Sequence, residues 1–402
     1  RNHHHRRPQW CREKHPAAGV VEDATLGSLA GESTGGLSFA ALDFSRLPRD
    51  EVQTLLAARA RYKQQVFADG IHRLQQDPSL ADVRACRNEA ELDSGQCLIT
   101  EELKRQIQAA RAENAAADAA RRAAEAAQLS QANADVATLR PGRAGQRRVV
   151  QATLPVIERK LALVIGVNSY RDKAVPQLEG AVRDARAVRE RLEQRLGYET
   201  TVLESPTREQ IVRAFNRLAL EAQATDSVIV YYAGHGVLVP VEGVETGFWL
   251  PSDVDSRNEK TWLSNADIAR LLATIGSKQL MLVSDSCYSG TLVGRERVAV
   301  GGASADELLK RRAAVVMSSG GDEPVADEGK DGHSFFAWHF MRALEGLDGW
   351  QPGSNLYERL RGAVSREFPQ TPQYGASRGL GHEGNTDYLF ERRELEAAAK
   401  AP

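Results

Sequence analysis

The distribution of apolar residues changes character after about residue 150. Beyond it, apolar runs long enough for buried strands recur at 161–167, 227–236, 279–290 and 313–320. The stretches between them carry apolar residues every three or four positions, which is typical of helices that pack on a sheet. This alternation predicts an α/β fold over residues 158–393, with a largely parallel central sheet and helices on both faces.

Signals at the ends of helices and strands sharpen this prediction. An apolar stripe from Leu178 to Leu196 predicts the first helix of the sheet region, and Gly197 is placed to end it. Thr207 and Gln210 have the spacing of a capping box, and Asn265 is predicted to cap a later helix. The short segments FWL and DYLF predict two further strands.

The part of the chain before residue 150 has a different texture. It is rich in Gly, Ser and Pro at first, and then in Ala, Glu, Arg and Gln, with a long helix expected over 101–137. We interpret this helical part as an inhibitory prodomain, a partner-binding coiled-coil stalk or a spacer, because alanine-rich composition fits all three. The predicted organisation is a flexible segment (1–45), a helical region (46–140), a basic linker (141–157), the α/β domain (158–393) and a tail (394–402).

Composition and charge exclude several classes of partner. The chain has 402 residues, 42% of them apolar, and a formal net charge of −2. It contains no apolar run of about 18 residues, so we expect no membrane span. Nothing in its net charge favours nucleic acid. We therefore expect partners to be recognised at a specific site.

The cysteines leave two questions open. Cys86 and Cys97 flank a segment containing Asp93 and Gly95, which can turn, so they form either a small disulfide loop or two reduced thiols. A bridge would imply an oxidising compartment. The chain begins with Arg1, as a trimmed or processed chain would. These features favour a periplasmic or secreted location over the cytoplasmic alternative.

Two reactive side chains follow predicted buried strands. His235 stands in AGHG and Cys287 in DSCYSG, each at the carboxyl end of its strand, where reactive groups collect in parallel sheets. A cysteine becomes a strong nucleophile as a thiolate, and a nearby histidine can take its proton. Either residue alone is more often structural, and a redox-sensor thiol is a further reading of Cys287. The matched positions favour a catalytic pair.

The motifs YYAGHG, DSCYSG, LALVIGVNSY, LEGAVRDAR, SSGGDEPVADEGKDGHSFFA and QTPQYG resemble the caspase-like cysteine peptidases. Within them, they resemble the bacterial metacaspase-like group called orthocaspases. The resemblance covers about 160–392 and implies a caspase-like α/β sandwich that hydrolyses peptide bonds through an acyl-enzyme. It implies that Cys287 attacks the carbonyl and that His235 moves the proton. The N–H groups of Gly236 and Cys287 would form the oxyanion hole.

The resemblance also implies an acidic pocket for the residue before the cut. The matching positions are Asp184 and Asp285, and two carboxylates select Arg or Lys. Asp184 has an alternative as a solvated helix residue paired with a neighbouring arginine, and Asp285 as a cap for local amides. Ala181 and Ala233 stand where the metacaspase pattern often has Cys and Ser, which widens the pocket.

Three further expectations concern cofactors, self-cleavage and the possibility that the protein is not catalytic. Several metacaspases require calcium, but the candidate acidic residues match no EF-hand loop, so we expect no cofactor and keep calcium dependence as the alternative. Arg/Lys specificity predicts self-cleavage in 294–312 or in the basic linker. The competing hypothesis is a catalytically silent caspase-like scaffold that binds partners through its helical arm. The calcium candidates are Asp253, Asp255, Asp322, Glu323, Asp327, Glu328 and Asp331.

Overall fold

The structure is a computed structural model in which part of the chain is described. Cys287, most of the basic linker, and most of the 294–312 segment lie outside the described residues. So do residues 1–82 and the tail. The described residues are 83–134, 157–241, 244–286, 292–293, 298, 305–320, 329–367 and 370–392.

Seven α-helices and thirteen strands are described. The helices are α1 (Glu101–Ala134), α2 (Ala181–Leu196), α3 (Arg208–Glu221), α4 (Asn265–Ala273), α5 (Ala305–Lys310), α6 (Phe335–Glu345) and α7 (Gly353–Glu367). The strands are β1 (Arg84–Ala85), β2 (Cys97–Leu98), β3 (Lys160–Gly166), β4 (Glu199–Glu204), β5 (Ser227–Ala233), β6 (Gly236–Val241), β7 (Val244–Trp249), β8 (Leu263–Ser264), β9 (Gln279–Asp285), β10 (Ala313–Ser318), β11 (Trp350–Pro352), β12 (Gln373–Ala376) and β13 (Leu389–Glu391).

A six-stranded sheet forms the centre of the domain, in the order β12-β10-β9-β5-β3-β4. The five strands from β10 to β4 are parallel, and β12 pairs antiparallel with β10 at one edge. Every residue of β3, β5 and β9 is buried, which explains why these strands appear in the sequence as continuous apolar runs. The predicted largely parallel sheet is confirmed.

Two groups of helices surround this sheet. In one, α2 packs on β3 and joins α6 and α7, and in the other α3 packs on β3 and joins α4. Gly197 ends α2 with a φ of 72°, as predicted, and the capping box of Thr207 and Gln210 is present. The prediction for α4 is wrong by one residue, because the Ser264 hydroxyl accepts the N–H of Asp267 and Asn265 is already helical. The helix predicted to begin at Leu178 begins later, at Ala181.

Leu178 lies before α2 because the chain there is tied to the loop after β3. The N–H of Leu178 donates to the carbonyl of Asn168 at 2.9 Å. The side chain of Asn168 accepts the N–H of Val182 at 2.9 Å, inside the first turn of α2. Leu178 is nevertheless buried, so its apolar character reflects packing outside the helix.

The two short strands predicted from FWL and DYLF are present and belong to smaller sheets. FWL lies at the end of β7, which pairs with β6 and β8 in a three-stranded antiparallel sheet. DYLF contributes β13, which pairs with β11 and does not join the central sheet. Antiparallel neighbours depend on pairing partners elsewhere in the chain, so short apolar segments do not reveal which sheet they join.

The segment before the linker is joined to the main core. Cys86 and Cys97 form a disulfide, which decides between the two alternatives for this pair. Leu98, Leu103 and Ile107 are buried in the same apolar cluster as the central strands. The predicted long helix is present as α1, and its first two turns dock through Leu103 and Ile107. No helix in the described ranges is long and apolar enough to cross a membrane.

A buried amide fastens this segment to α3. The Asn216 side chain accepts the N–H of Ile99 at 3.0 Å and donates to the carbonyl of Cys97 at 2.9 Å. Both contacts are buried, so these hydrogen bonds compensate the two peptide groups for the hydration that they lose on folding. The disulfide-closed segment is thus part of the domain's packing.

We expect the disulfide to stabilise the fold, because it closes a short loop in the unfolded chain. Replacing Cys86 and Cys97 together by Ser should lower the free energy of unfolding by about 2–3 kcal/mol, measured by urea denaturation. Cys11→Ser is the control and should leave the midpoint unchanged. An intact mass that shows both thiols protonated in the oxidised protein would contradict the bridge.

Candidate active site

The carboxyl ends of β3, β5 and β9 meet at one edge of the central sheet. Gly166 pairs with Ala233, and Ala233 pairs with Asp285. The N–H of Gly234 donates to the carbonyl of Asp285 at 3.4 Å. The His235 loop and the end of β9 are therefore adjacent, as the positions after each strand predict.

The backbone of His235 is held on both sides. Its N–H donates to the Tyr170 hydroxyl at 2.9 Å. Its carbonyl accepts the Tyr232 hydroxyl at 2.9 Å and the N–H of Leu250 at 3.1 Å. Because side chains and backbone from three separate segments fix this peptide, the position of the imidazole is set by the fold.

The imidazole of His235 has a defined orientation. Its Nε2 lies 2.8 Å from the carbonyl oxygen of Pro176, and its ring packs on Tyr170 with centroids 4.9 Å apart. A carbonyl oxygen can only accept, so Nε2 carries the hydrogen. In the neutral ring, Nδ1 then carries the lone pair, which is the nitrogen able to take a proton.

Gly234 is required by space beside this histidine. Neither Gly234 nor Gly236 has a positive φ, so a sharp left-handed turn is not the reason for the glycines. A Cβ at position 234 would lie 2.7 Å from the Tyr232 hydroxyl oxygen, which is too close. The absence of a side chain lets Tyr232 reach the carbonyl of His235.

Asp184 and Asp285 are brought together by one serine. The Ser334 N–H donates to Oδ2 of Asp184 at 3.1 Å, and its hydroxyl donates to Oδ2 of Asp285 at 2.5 Å. Ser334 also caps α6, because its side chain accepts the N–H of Ala337. The predicted pair of carboxylates is thus linked at the N-terminus of α6, on the side of the sheet covered by α2.

The solvated alternative for Asp184 is wrong. The residue is 1% exposed, and its Oδ1 lies 2.5 Å from Nδ1 of His333. Arg183 donates to the carbonyl of Gly332, and Arg186 pairs with Glu204. Burial raises the pKa of Asp184, and the hydrogen bonds from His333 and Ser334 oppose that rise.

The other predicted site residues differ in how far they are described. Gly236 begins β6 and pairs with Trp249. Ala181 and Ala233 are both buried, and Ala233 stands opposite Asp285 in the sheet. Cys287 lies outside the described residues, two positions after Asp285 in the sequence.

Three residues that shape the site are not among the predicted site residues. Ser334 and His333 lie in the motif SSGGDEPVADEGKDGHSFFA, and Tyr170 lies in LALVIGVNSY. A serine before an apolar helical stretch is an N-cap signal, so the capping role of Ser334 can be predicted from the sequence. Nothing local indicates that Tyr170 would support His235, because their contact spans 65 residues.

The candidate calcium ligands do not form a metal group in the described part of the chain. No cluster of three or more His, Cys, Asp or Glu side chains there is arranged to hold a metal ion. Asp253 accepts the N–H of Arg208, and Asp255 accepts the N–H of Arg257, so both carboxylates order local backbone. Asp322, Glu323, Asp327 and Glu328 lie outside the described residues.

Known proteins are similar to parts of this chain. Metacaspase-7 of Arabidopsis thaliana is 31% identical over 159 residues, which are 35% of this chain and 38% of that protein. Metacaspase-4 of the same plant is 30% identical over 159 residues, covering 35% and 36%. The chain thus spans less than two fifths of the length of either relative. The crystal structure of caspase-1 from Spodoptera frugiperda has a TM-score of 0.40 and 14% identity, covering 58% of this chain and 93% of that one.

A family model extends over more of the chain than these relatives do. The model described as "Caspase domain" matches residues 159–379, which is more than half of the 402 residues. The matched range runs from β3 to β12 and contains Asp184, His235 and Asp285. The chain therefore belongs to the caspase domain family of cysteine peptidases.

Proposed function

We propose that this protein is a cysteine endopeptidase that cleaves peptide bonds after Arg or Lys, using Cys287 and His235. The observation that carries the proposal is the pair of buried carboxylates joined by Ser334, because one of them, Asp285, ends β9 next to the strand that leads to His235. Burying two carboxylates together is costly unless they bind a cation or are well hydrogen-bonded. A substrate cation beside both would offset that cost.

The first half of the proposed reaction forms an acyl-enzyme. The Cys287 thiolate attacks the carbonyl carbon, and its oxygen becomes an oxyanion held by the N–H groups of Gly236 and Cys287. His235 takes the thiol proton and donates it to the leaving amine, so that the C–N bond breaks and a thioester remains. The hydrogen bond from Nε2 to Pro176 supports this role, because it orients the ring for proton transfer at Nδ1.

The second half hydrolyses the thioester. His235 removes a proton from water, the hydroxide attacks the carbonyl, and the C–S bond breaks to release the acid and the Cys287 thiol. The thiol and the imidazole supply the nucleophile and the proton shuttle. We therefore propose that no cofactor is needed.

Arg/Lys selectivity follows from charge. An arginine guanidinium can bridge two carboxylates with several N–H donors, whereas an ammonium acts as a compact charge. Each carboxylate oxygen can accept a second hydrogen bond, so the bonds from His333 and Ser334 leave acceptor capacity on Asp184. A substrate Asp at this position would be repelled.

A silent scaffold is the competing proposal from another class. Its support is α1, whose residues beyond the docked turns are exposed where their side chains are described and could hold a partner. A scaffold would have no need to orient the imidazole of His235. Peptide hydrolysis separates the two proposals.

The catalytic pair is tested with fluorogenic peptides that end in Arg, assayed with a chelator present. Wild type should hydrolyse them, and Cys287→Ala and His235→Ala should each lower kcat by at least about a thousandfold, since proton transfer and nucleophilic attack are both lost. His339→Gln, a histidine bonded to Glu367, is the matched control and should stay active. Absence of hydrolysis by folded wild type would favour the scaffold.

The acidic pocket is tested by comparing substrates with Arg and its uncharged isostere citrulline before the cut. Asp285→Asn should lower kcat/KM for the Arg substrate by about 10–100-fold, because a charge-assisted hydrogen bond is lost, and should leave the citrulline substrate nearly unaffected. Asp267→Asn replaces a buried carboxylate on α4 and serves as the control. An undiminished preference for Arg over citrulline in Asp285→Asn would contradict the proposed acidic pocket.

Self-processing follows from the proposed specificity, since both candidate segments are rich in Arg. Wild type should convert to fragments whose new ends follow Arg or Lys within 294–312 or the linker, as identified by mass spectrometry. Cys287→Ala should remain intact under the same conditions. Identical fragment patterns in both proteins would assign the cleavage to a contaminating protease.

A further inference from the structure

A tight turn lies against the Asp184 side of the acidic pair. Lys330 and His333 form an antiparallel bridge, and the central residues Asp331 and Gly332 have φ values of 53° and 79°. Positive φ at both central positions is the geometry of a type I′ turn, for which Asp-Gly is a preferred sequence. The turn therefore fixes where the His333 side chain begins.

Two adjacent residues of α2 hold this turn. Arg183 donates from Nη1 to the carbonyl of Gly332 at 2.9 Å. Oδ1 of Asp184 lies 2.5 Å from Nδ1 of His333. A Cβ at position 332 would lie 1.7 Å from the Arg183 nitrogen, so only glycine admits this contact. The contacts to Gly332 and His333 thus hold the imidazole against the carboxylate.

The direction of the hydrogen bond follows from the charge that a cation ligand must carry. An ionised Asp184 can only accept, so Nδ1 of His333 then carries the hydrogen and donates it to the carboxylate. The His333 side chain is 15% exposed, and its ring packs near Trp338 with centroids 6.2 Å apart. The bond is therefore shielded from water, where a charge-assisted hydrogen bond is stronger.

Within the described part of the chain, four ionisable side chains face Asp184 from the elements packed around it. Arg183 belongs to the same helix, His333 to the turn, Asp285 to β9 and Tyr231 to β5. Among the described residues, the donors to Asp184 are His333 and the Ser334 N–H, and the Tyr231 hydroxyl has no hydrogen-bond partner. One of the two direct donors is thus a side chain that can be replaced.

We propose that His333 is a positioning residue that keeps Asp184 ionised and oriented for the substrate cation. The proposal rests on the proposed function, because it concerns the acidic pocket of the peptidase. His333 does not contact the reacting atoms in this assignment. It acts through the carboxylate that binds the cation.

The expected pH dependence has a definite sign. Burial raises the pKa of Asp184, and the His333 hydrogen bond lowers it. Removing the bond leaves burial less opposed, so the pKa of the carboxyl rises further. Cation affinity is present above that pKa and is lost as the pH falls through it. The loss should therefore begin at a higher pH without His333.

The experiment measures binding to the full chain carrying Cys287→Ala, which prevents turnover. A peptide ending in Arg and its citrulline counterpart are titrated calorimetrically between about pH 5 and pH 8. His333→Ala should move the acid loss of Arg-peptide affinity upward by about one pH unit, equivalent to about tenfold weaker binding within that range. His333→Asn places an amide N–H near Nδ1 and should restore the parent profile.

The outcomes distinguish failure of the His333 proposal from failure of the acidic pocket on which it rests. Equal binding of the two peptides by the parent refutes the acidic pocket, and with it the role of His333. Preference for Arg with identical profiles in parent and His333→Ala overturns the role of His333 alone, as does an equal shift in the Ala and Asn variants. Tighter Arg binding by His333→Ala also overturns it, because the His333 side chain would then oppose the substrate cation instead of supporting the carboxylate that binds it. Unchanged citrulline affinity shows that the pocket remains folded.

Discussion

The in-register parallel pairing of β5 with β9 is the constraint on which the site depends. It sets Ala233 opposite Asp285, so the residues that follow each strand emerge at one edge. A slip of one residue in either strand would turn its side chains to the other face of the sheet. Asp285 would then lose Ser334, while His235 would lose the contacts that fix its backbone. Continuous burial of both strands opposes such a slip.

The N-terminus of α6 solves an electrostatic problem that the sheet creates. Two buried carboxylates repel each other and lose hydration, and both effects favour their neutral forms. Ser334 places a peptide N–H on one and a hydroxyl on the other, at the end of a helix where the partial charge is positive. The same serine accepts a backbone N–H of α6. The helix cap and the acidic pair are therefore one structural unit.

The sequence predicts the framework of the domain better than its connections. Apolar runs reveal β3, β5 and β9, and the ends of β5 and β9 point to His235 and Cys287, because periodicity and burial are local properties. Asp184 and Asp285 are found through the family resemblance instead. The contact of His333 with Asp184 spans 149 residues, so neither segment contains its signal. The positions of β6, β11 and β12 likewise could not be predicted, because each is set by antiparallel pairing with another strand. Asn265 shows that a side-chain cap decides where one helix begins, and Leu178 shows that a bond to a distant loop residue decides another.

The disulfide-closed segment has a consequence for the redox conditions that the protein tolerates. Cys97 is fully buried and Cys86 is 5% exposed. Thiol exchange requires a thiolate to approach one of the bridged sulfurs along the S–S axis, so a shielded bridge is reached mainly after local opening. Enclosure of the bridge in the apolar core therefore slows its reduction, so the oxidised pair Cys86–Cys97 can persist in surroundings that contain free thiols.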